Sequence, residues 1–240
     1  MASVLDRMKQ GSGQRNGIPP LEPGDHLDQK TFHERYEAMP DGVKAELVGG
    51  IVFMPSPLKV RHGRQSPELA AWLVVYKAST PGTDVLENAT IKLGPESEPQ
   101  PDACLLFLPE CGGQTRVEYD EEGDGYIVGS PELVAEVASS SEAYDLHSKK
   151  TDYEEAGVKE YLVLTLRQPR VHWFILRSGR YEQILPGVDG ILRSEVFPGL
   201  WLDPAAILQR DSARVLDVLN QGLASSAHAE CVNQLAARKG

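Results

Sequence analysis

Two carboxylates and one ammonium stand in this chain where aliphatic side chains would be expected. Glu136 interrupts the apolar run LVAEVA at 133–138, and Asp102 follows Pro101 directly before the apolar run ACLLFL. In a strand, Val134, Glu136 and Ala138 share one face, and Leu133, Ala135 and Val137 share the other. A carboxylate in such a run must be paired, hydrogen-bonded or bound to a metal, because burying it unpaired is costly. The alternative is a solvent-facing glutamate at an exposed strand end. Asp102 alone reads as a turn residue at a strand start. If the two strands are neighbours, both carboxylates could share one divalent ion, and hard oxygen ligands suit Mg²⁺ or Mn²⁺.

The ammonium is Lys149. It lies in a stretch that reads as a helix from near Ser141 to Gly157. Ser139 and Glu142 have capping-box spacing, and Gly157 fits a C-terminal glycine cap. Leu146, Lys149, Tyr153 and Ala156 recur at spacings of three and four, so they share a face. Asp152, Glu154 and Glu155 lie largely off it, which makes it the inner face. A lysine there either snorkels to the rim or points at a negative site; neighbouring Lys150 reads as solvated. Glu46, before LVGGIVFMP, reads as an ordinary strand residue, and His62 as a capping or surface histidine. No Ser-His-Asp triad, phosphate loop or GxGxxG fingerprint is present.

The elements that must position these groups are legible in outline. KTFHERYEAMPD reads as a short helix stopped at Pro40. AELVGGIVFMPSP reads as two strands turning at Gly49-Gly50. RHGRQSPELAAWLVVYKAS reads as a helix with Leu69, Leu73 and Tyr76 on one side. DVLENATIKL alternates like one strand, and QPDACLLFLPE reads as another. The acidic, Gly-rich stretch from 111 to 129 reads as a surface loop or hairpin. The Glu136 strand, the Lys149 helix and the strand in EYLVL then form a β-α-β crossover. RVHWFILRSGRYEQI is a hairpin turning at Ser178-Gly179, and GILRSEVFPGLWLD is expected to close the sheet. From Pro204 the pattern is helical, and the terminal AARKG is expected to fray. Hairpins mixed with a crossover imply an α/β fold with a mixed β-sheet flanked by helices. The expected division is a flexible N-terminal arm over 1–28, one domain over 29–208 and a C-terminal helical extension over 209–240.

The chain has 240 residues, 41% hydrophobic and 25% charged, which is ordinary for a globular protein. No apolar run is long enough to span a bilayer, and the first residues lack the apolar region of a secretory signal. Cys104, Cys111 and Cys231 are odd in number and show no CxxC or Cys/His spacing. That weighs against a disulfide scaffold or zinc site, and the expectation is a cytoplasmic protein. A formal net charge of −11 weighs against nonspecific DNA binding by the whole surface. It leaves room for a local basic patch, since the charge near the phosphates is what matters.

Taken together, AELVGGIVFMPSP with His62, PDACLLF, and GYIVGSPELVAEVASSSEAYDLHSKKTDYEEAGVKEYLVL resemble the Uma-two family, restriction-endonuclease-like proteins of the PD-(D/E)XK nuclease superfamily. The resemblance covers roughly residues 30 to 208. It implies a restriction-endonuclease-like mixed sheet flanked by helices with the active site at a strand edge. It makes Asp102 the aspartate of the PD motif, Glu136 the second acid and Glu46 the early glutamate, all three as metal ligands for Mg²⁺ or Mn²⁺. The lysine expected two residues after the second acid is replaced by Ala138. A pattern of Asp145, Lys149 and Tyr153 on the following helix takes its place, making Lys149 a charge-stabilising catalytic residue. Ala45 stands where the family has an aromatic residue, and Ser139-Ser140-Ser141 where it has Ser-Pro-Ser. The implied activity is metal-dependent hydrolysis of phosphodiester bonds in DNA. The alternatives are a non-catalytic binding or regulatory module with a vestigial site, and a nuclease-like subunit needing a partner. Ile207, Val215, Leu216, Leu219 and Leu223 would either dock on a partner protein or a second copy, or pack on their own domain.

Overall fold

A computed structural model describes residues 17–57, 59–119 and 123–238. Helix α1 (Gln29–Glu37) opens on Asp28, whose carboxylate accepts the Thr31 N–H at 2.7 Å. Strands β1 (Glu46–Val48) and β2 (Ile51–Phe53) pair antiparallel across Gly49 and Gly50, at φ 57° and 74°. Glycine adopts two such angles in succession without a side-chain penalty, so the turn read from the sequence forms. Helix α2 (Val60–Ser79) buries His62, Gln65, Leu69, Trp72, Leu73 and Tyr76 along one stripe. Next come β3 (Thr83–Glu87) and β4 (Ile91–Lys92). The sequence reads these as one strand, but Asn88 takes a left-handed φ of 53° and splits it between two sheets.

The chain continues through β5 (Ala103–Phe107), the hairpin of exposed β6 (Arg116–Tyr119) and half-buried β7 (Gly125–Val128), and β8 (Leu133–Ala138). A helical connection follows: α3 (Glu142–Tyr144), a π-helical turn (Asp145–Lys149) and α4 (Lys150–Ala156), ended by Gly157 at φ 85°. Then come β9 (Glu160–Thr165), the hairpin β10 (Arg170–Arg177) and β11 (Arg180–Gln183), and the short strands β12 (Leu192–Arg193) and β13 (Trp201–Leu202). The principal sheet has the order β11-β10-β9-β8-β5-β3. Its β8–β9 pair is parallel and the others antiparallel. This is the expected mixed sheet, with the expected crossover between β8 and β9. Segment 190–203 differs from expectation: β12 and β13 pair only with each other and leave the principal sheet open.

The period-two pattern of β8 sorts its side chains into two cores. Leu133, Ala135 and Val137 pack with α2, Trp173 and the C-terminal helices. Val134 and Ala138 pack with Tyr153 and Tyr161 on the other side. Covering both faces makes β8 and β9 wholly buried, as a parallel pair requires.

Helices α5 (Pro204–Gln209), α6 (Ser212–Leu223) and α7 (Ser226–Arg238) complete the fold. The helical reading after Pro204 holds, with a break at Arg210 (φ 57°). Ile207, Val215 and Leu219 enter the main core, and Leu216 and Leu223 pack against it. Of the two alternatives for this apolar face, packing on its own domain is the one these contacts show. The end expected to fray is helical to Arg238, whose guanidinium donates to the Cys111 carbonyl at 2.9 Å; residues 239 and 240 lie outside the described residues. Of the expected N-terminal arm, residues 1–16 lie outside them too. Leu21 is buried with Phe32, Leu47 and Val52, so the packed chain begins before residue 29.

One buried acid ties sheet to ribbon. Glu160, at the start of β9, is fully buried and accepts from the Trp173 indole, the Ser194 hydroxyl and the Glu195 and Val196 N–H groups. Burial pushes its carboxyl up to about 7, with those hydrogen bonds opposing. No helix among the described residues is long and apolar enough to cross a membrane.

Candidate active site

Strand register brings the two acids together. β5 and β8 run antiparallel with Ala103 opposite Ala135, so one step further along places Asp102 beside Glu136. The Asp102 N–H lies 3.4 Å from Glu136 Oε2, and Asp102 Oδ2 accepts the Val137 N–H at 2.7 Å. Glu136 is 4% exposed, which removes the solvent-facing reading of that residue.

Glu46 arrives from the β1–β2 hairpin. That hairpin is hung on the loop after β4: Leu47 and Glu98 form a bridge, and Glu46 Oε1 accepts the Gln100 N–H at 2.7 Å. Asp152 on α4 fastens the other end, accepting from the Gly49 N–H and the Ser97 hydroxyl. Glu46 thus faces the inner side of the crossover helix, where Lys149 waits. Its Nζ lies 2.9 Å from Glu46 Oε1, 2.9 Å from Glu136 Oε1 and 3.9 Å from Asp145 Oδ1. The Tyr153 hydroxyl also donates to Glu136 Oε1, at 3.2 Å. Lys149 points at a negative site and does not snorkel. Lys150 instead lies over the Phe174 ring.

The helix carrying Lys149 is not regular. Asp145–Lys149 forms a π-helical turn, a widened geometry that recurs at functional sites. The expected Ser139/Glu142 capping box does not form. Ser141 holds the N-cap position without a side-chain cap, its hydroxyl donating to Asp145 Oδ2. Glu142 accepts from the Arg167 N–H. The Glu142 carboxylate is taken by a backbone N–H 25 residues away in sequence, and the hydroxyl at the helix start by the Asp145 carboxylate four residues on, so the local pairing does not form.

The cluster is strongly acidic for so dry a place. Burial raises the Glu136 carboxyl well above the usual range; Lys149 opposes this, and Asp145, Asp102 and Glu46 add to it. Asp145 rises to about 6, burial first, with Lys149 and the Ser141 hydroxyl pulling the other way. Burial alone would depress the Lys149 ammonium. Glu136, Glu46 and Asp145 outweigh it, and the net shift is well upward. Lys149 is therefore a fixed cation at neutral pH.

His62, given no role by the sequence, comes from the first turn of α2. Its Nε2 lies 3.1 Å from Asp102 Oδ1. The hydrogen bond to Asp102 raises its pKa against the opposing effect of burial. Glu46, His62, Asp102, Glu136, Asp145 and Lys149, with Tyr144, line one cleft of about 770 Å³. Two buried atoms in the residues lining it, His62 Nδ1 and Tyr144 Oη, have no hydrogen-bond partner among the described residues. Sequence reasoning missed Tyr144 and named His62 without giving it a role in the site. No local pattern marks them: His62 reaches Asp102 across 40 positions.

The donor set of Asp102, Glu136 and Glu46 is of the hard oxygen type that suits Mg²⁺ or Mn²⁺. Its present arrangement is turned elsewhere. Glu46 and Glu136 converge on Lys149, Asp102 on His62 and the Val137 N–H. Among the described residues no group of three His, Cys, Asp or Glu side chains is already disposed to hold a metal ion.

A family model, Uma2, described as "Putative restriction endonuclease", matches residues 31–205. A crystal structure from Anabaena variabilis, described as a "putative nuclease belonging to DUF820", superposes with a TM-score of 0.57 at 11% identity, covering 73% of this chain and 96% of that one. At that identity the likeness concerns the fold. No curated protein matches the chain.

Proposed function

The chain belongs to the Uma2 family, and from that and the chemistry of the cleft we propose that it is a metal-dependent nuclease hydrolysing phosphodiester bonds in DNA. One observation carries the reading: Asp102 and Glu136 on adjacent strands, with Glu46 and Lys149, line a single open cleft. Asp102, Glu136 and Glu46 would hold Mg²⁺ or Mn²⁺; the donor chemistry fits. When bound, such an ion would polarise a phosphoryl oxygen and make water a stronger acid.

The chain's own groups divide the remaining work. Lys149, set among three carboxylates, would neutralise charge gathering on the phosphate. Tyr153 fixes the Glu136 carboxylate by donating to Oε1. His62 holds Asp102 from the other side and carries a second, unpartnered nitrogen that bound water or substrate would satisfy.

A non-catalytic binding module is the second reading. The observation favouring it is the tight pairing of Glu46 and Glu136 with Lys149, which already neutralises much of the site. Calorimetric titration of Mn²⁺ and Mg²⁺, with and without a short duplex, separates the two. Saturable binding is expected in the wild type and its loss in Asp102→Asn and Glu136→Gln, with metal-dependent cleavage lost in parallel. Binding indifferent to both changes refutes the site.

A further inference from the structure

A second groove, of about 560 Å³, adjoins the cleft. It is lined by Arg61, Arg64, Arg167 and Arg210, with Gln65 and apolar residues, and by no acid. All four arginines are exposed. In a chain of net charge −11 that placement is selective. Arg35, Arg116, Arg177, Arg180, Arg193 and Arg214 each meet a carboxylate between 2.5 and 3.3 Å. Among the described residues the four groove arginines meet none; outside the groove only Arg170 and Arg238 share that, and they do not line it. Arg61 is held in place by its Nη1 donating to the Leu166 carbonyl at 2.8 Å. Arg210 enters from the left-handed cap of α5, and Arg167 from the turn after β9.

The groove and the cleft share a wall. The first turn of α2 carries Arg61 and Arg64 into the groove and His62 into the cleft, with Lys59 lining the cleft just before it. A polyanion lying across this helix start would keep one phosphate near the acids and the next ones against guanidiniums. Guanidinium groups suit this because their planar fork matches phosphate oxygens. Contacts of this kind to phosphate fix the register and orientation of a strand.

We propose that the arginine groove is the track for the nucleic-acid strand flanking the bond to be cut, and that it supplies most of the electrostatic binding of this acidic protein to its substrate. The proposal rests on the nuclease reading of the adjoining cleft and names the surface by which substrate is held there.

The test is fluorescence anisotropy with a labelled 20-base-pair duplex and with one of its strands, in EDTA, across a salt series. Each phosphate neutralised on duplex contributes about −0.9 to the slope of log affinity against log salt. The variant is Arg64→Ala, Arg167→Ala, Arg210→Asn. Asparagine is used at 210 because it tolerates a left-handed backbone, and Arg61 is spared because of its carbonyl contact. The slope should fall by about 2 to 3, and affinity at fixed salt by at least tenfold. Arg180→Ala, at an exposed arginine already paired with Glu154, should leave the slope unchanged. Arg64→Ala alone serves if the triple variant does not fold. No binding by wild type, or a slope indifferent to the groove changes, overturns the proposal; metal-dependent cleavage persisting with an indifferent slope leaves the nuclease reading standing. Groove-dependent binding without cleavage in Mg²⁺ or Mn²⁺ supports the groove and sinks the catalytic reading.

Discussion

Lys149→Met removes the ammonium from among Glu46, Glu136 and Asp145 while nearly keeping the volume of the stem. Each of these side chains is 9% exposed or less, so water cannot stand in for the lost charge. Removing one partner of such a buried pair costs about 3–5 kcal/mol. Urea denaturation, followed by tryptophan fluorescence and circular dichroism at pH 7, should show a loss of that size. The pH dependence gives a sharper signature. Without Lys149 the Glu136 and Asp145 carboxyls sit further above their unfolded pKa values, so the folded variant binds more protons than its unfolded chain. Its stability then rises as pH falls, and its deficit against wild type should shrink between pH 7 and 5. Adding Glu136→Gln should recover part of the loss by removing one uncompensated charge. Mn²⁺ should also narrow the deficit if the acids hold it, by mass action on the folded state. A variant within about 1 kcal/mol of wild type, or a deficit constant across pH, would refute this account of the cluster.

Two further outcomes follow from the same reasoning. Asp102→Asn should lower the pKa of His62, since the hydrogen bond to Asp102 is the first cause of its rise; an imidazole midpoint unmoved in an NMR titration would break the assigned pair. Glu160, at about 7 in the fold, contributes stability that is complete below its unfolded pKa and is lost as pH rises through 7. Glu160→Gln should flatten that decline in thermal unfolding across pH 5 to 8. It should also lower stability at pH 5 by about 1–3 kcal/mol, because an amide NH₂ leaves a buried donor without an acceptor. A slope identical to wild type would mean that Glu160 stays ionised throughout.

Much of the architecture was legible because its signals are short. Period-two alternation placed Leu133, Ala135 and Val137 opposite Val134, Glu136 and Ala138, and the structure divides them between two cores in that way. The turns at Gly49-Gly50 and Ser178-Gly179 follow from residues that tolerate positive φ. The split at Asn88 was not legible, because alternation continues across a residue whose backbone reverses. The separate β12–β13 ribbon was missed for a related reason: two-residue strands carry too little pattern to say which sheet they join.

The sequence by itself determined which groups are out of place: a carboxylate in a buried strand, another at a strand start, and an ammonium on an inner helix face. Their types and local spacing are covalent facts, and burial made them costly enough to demand partners. Only the tertiary structure decided who those partners are. Lys149 meets Glu46 across 103 positions, His62 meets Asp102 across 40, and four arginines from three regions of the chain line one groove. No window of sequence contains such encounters. They depend on strand register, on where one helix starts and on which faces the core leaves to solvent.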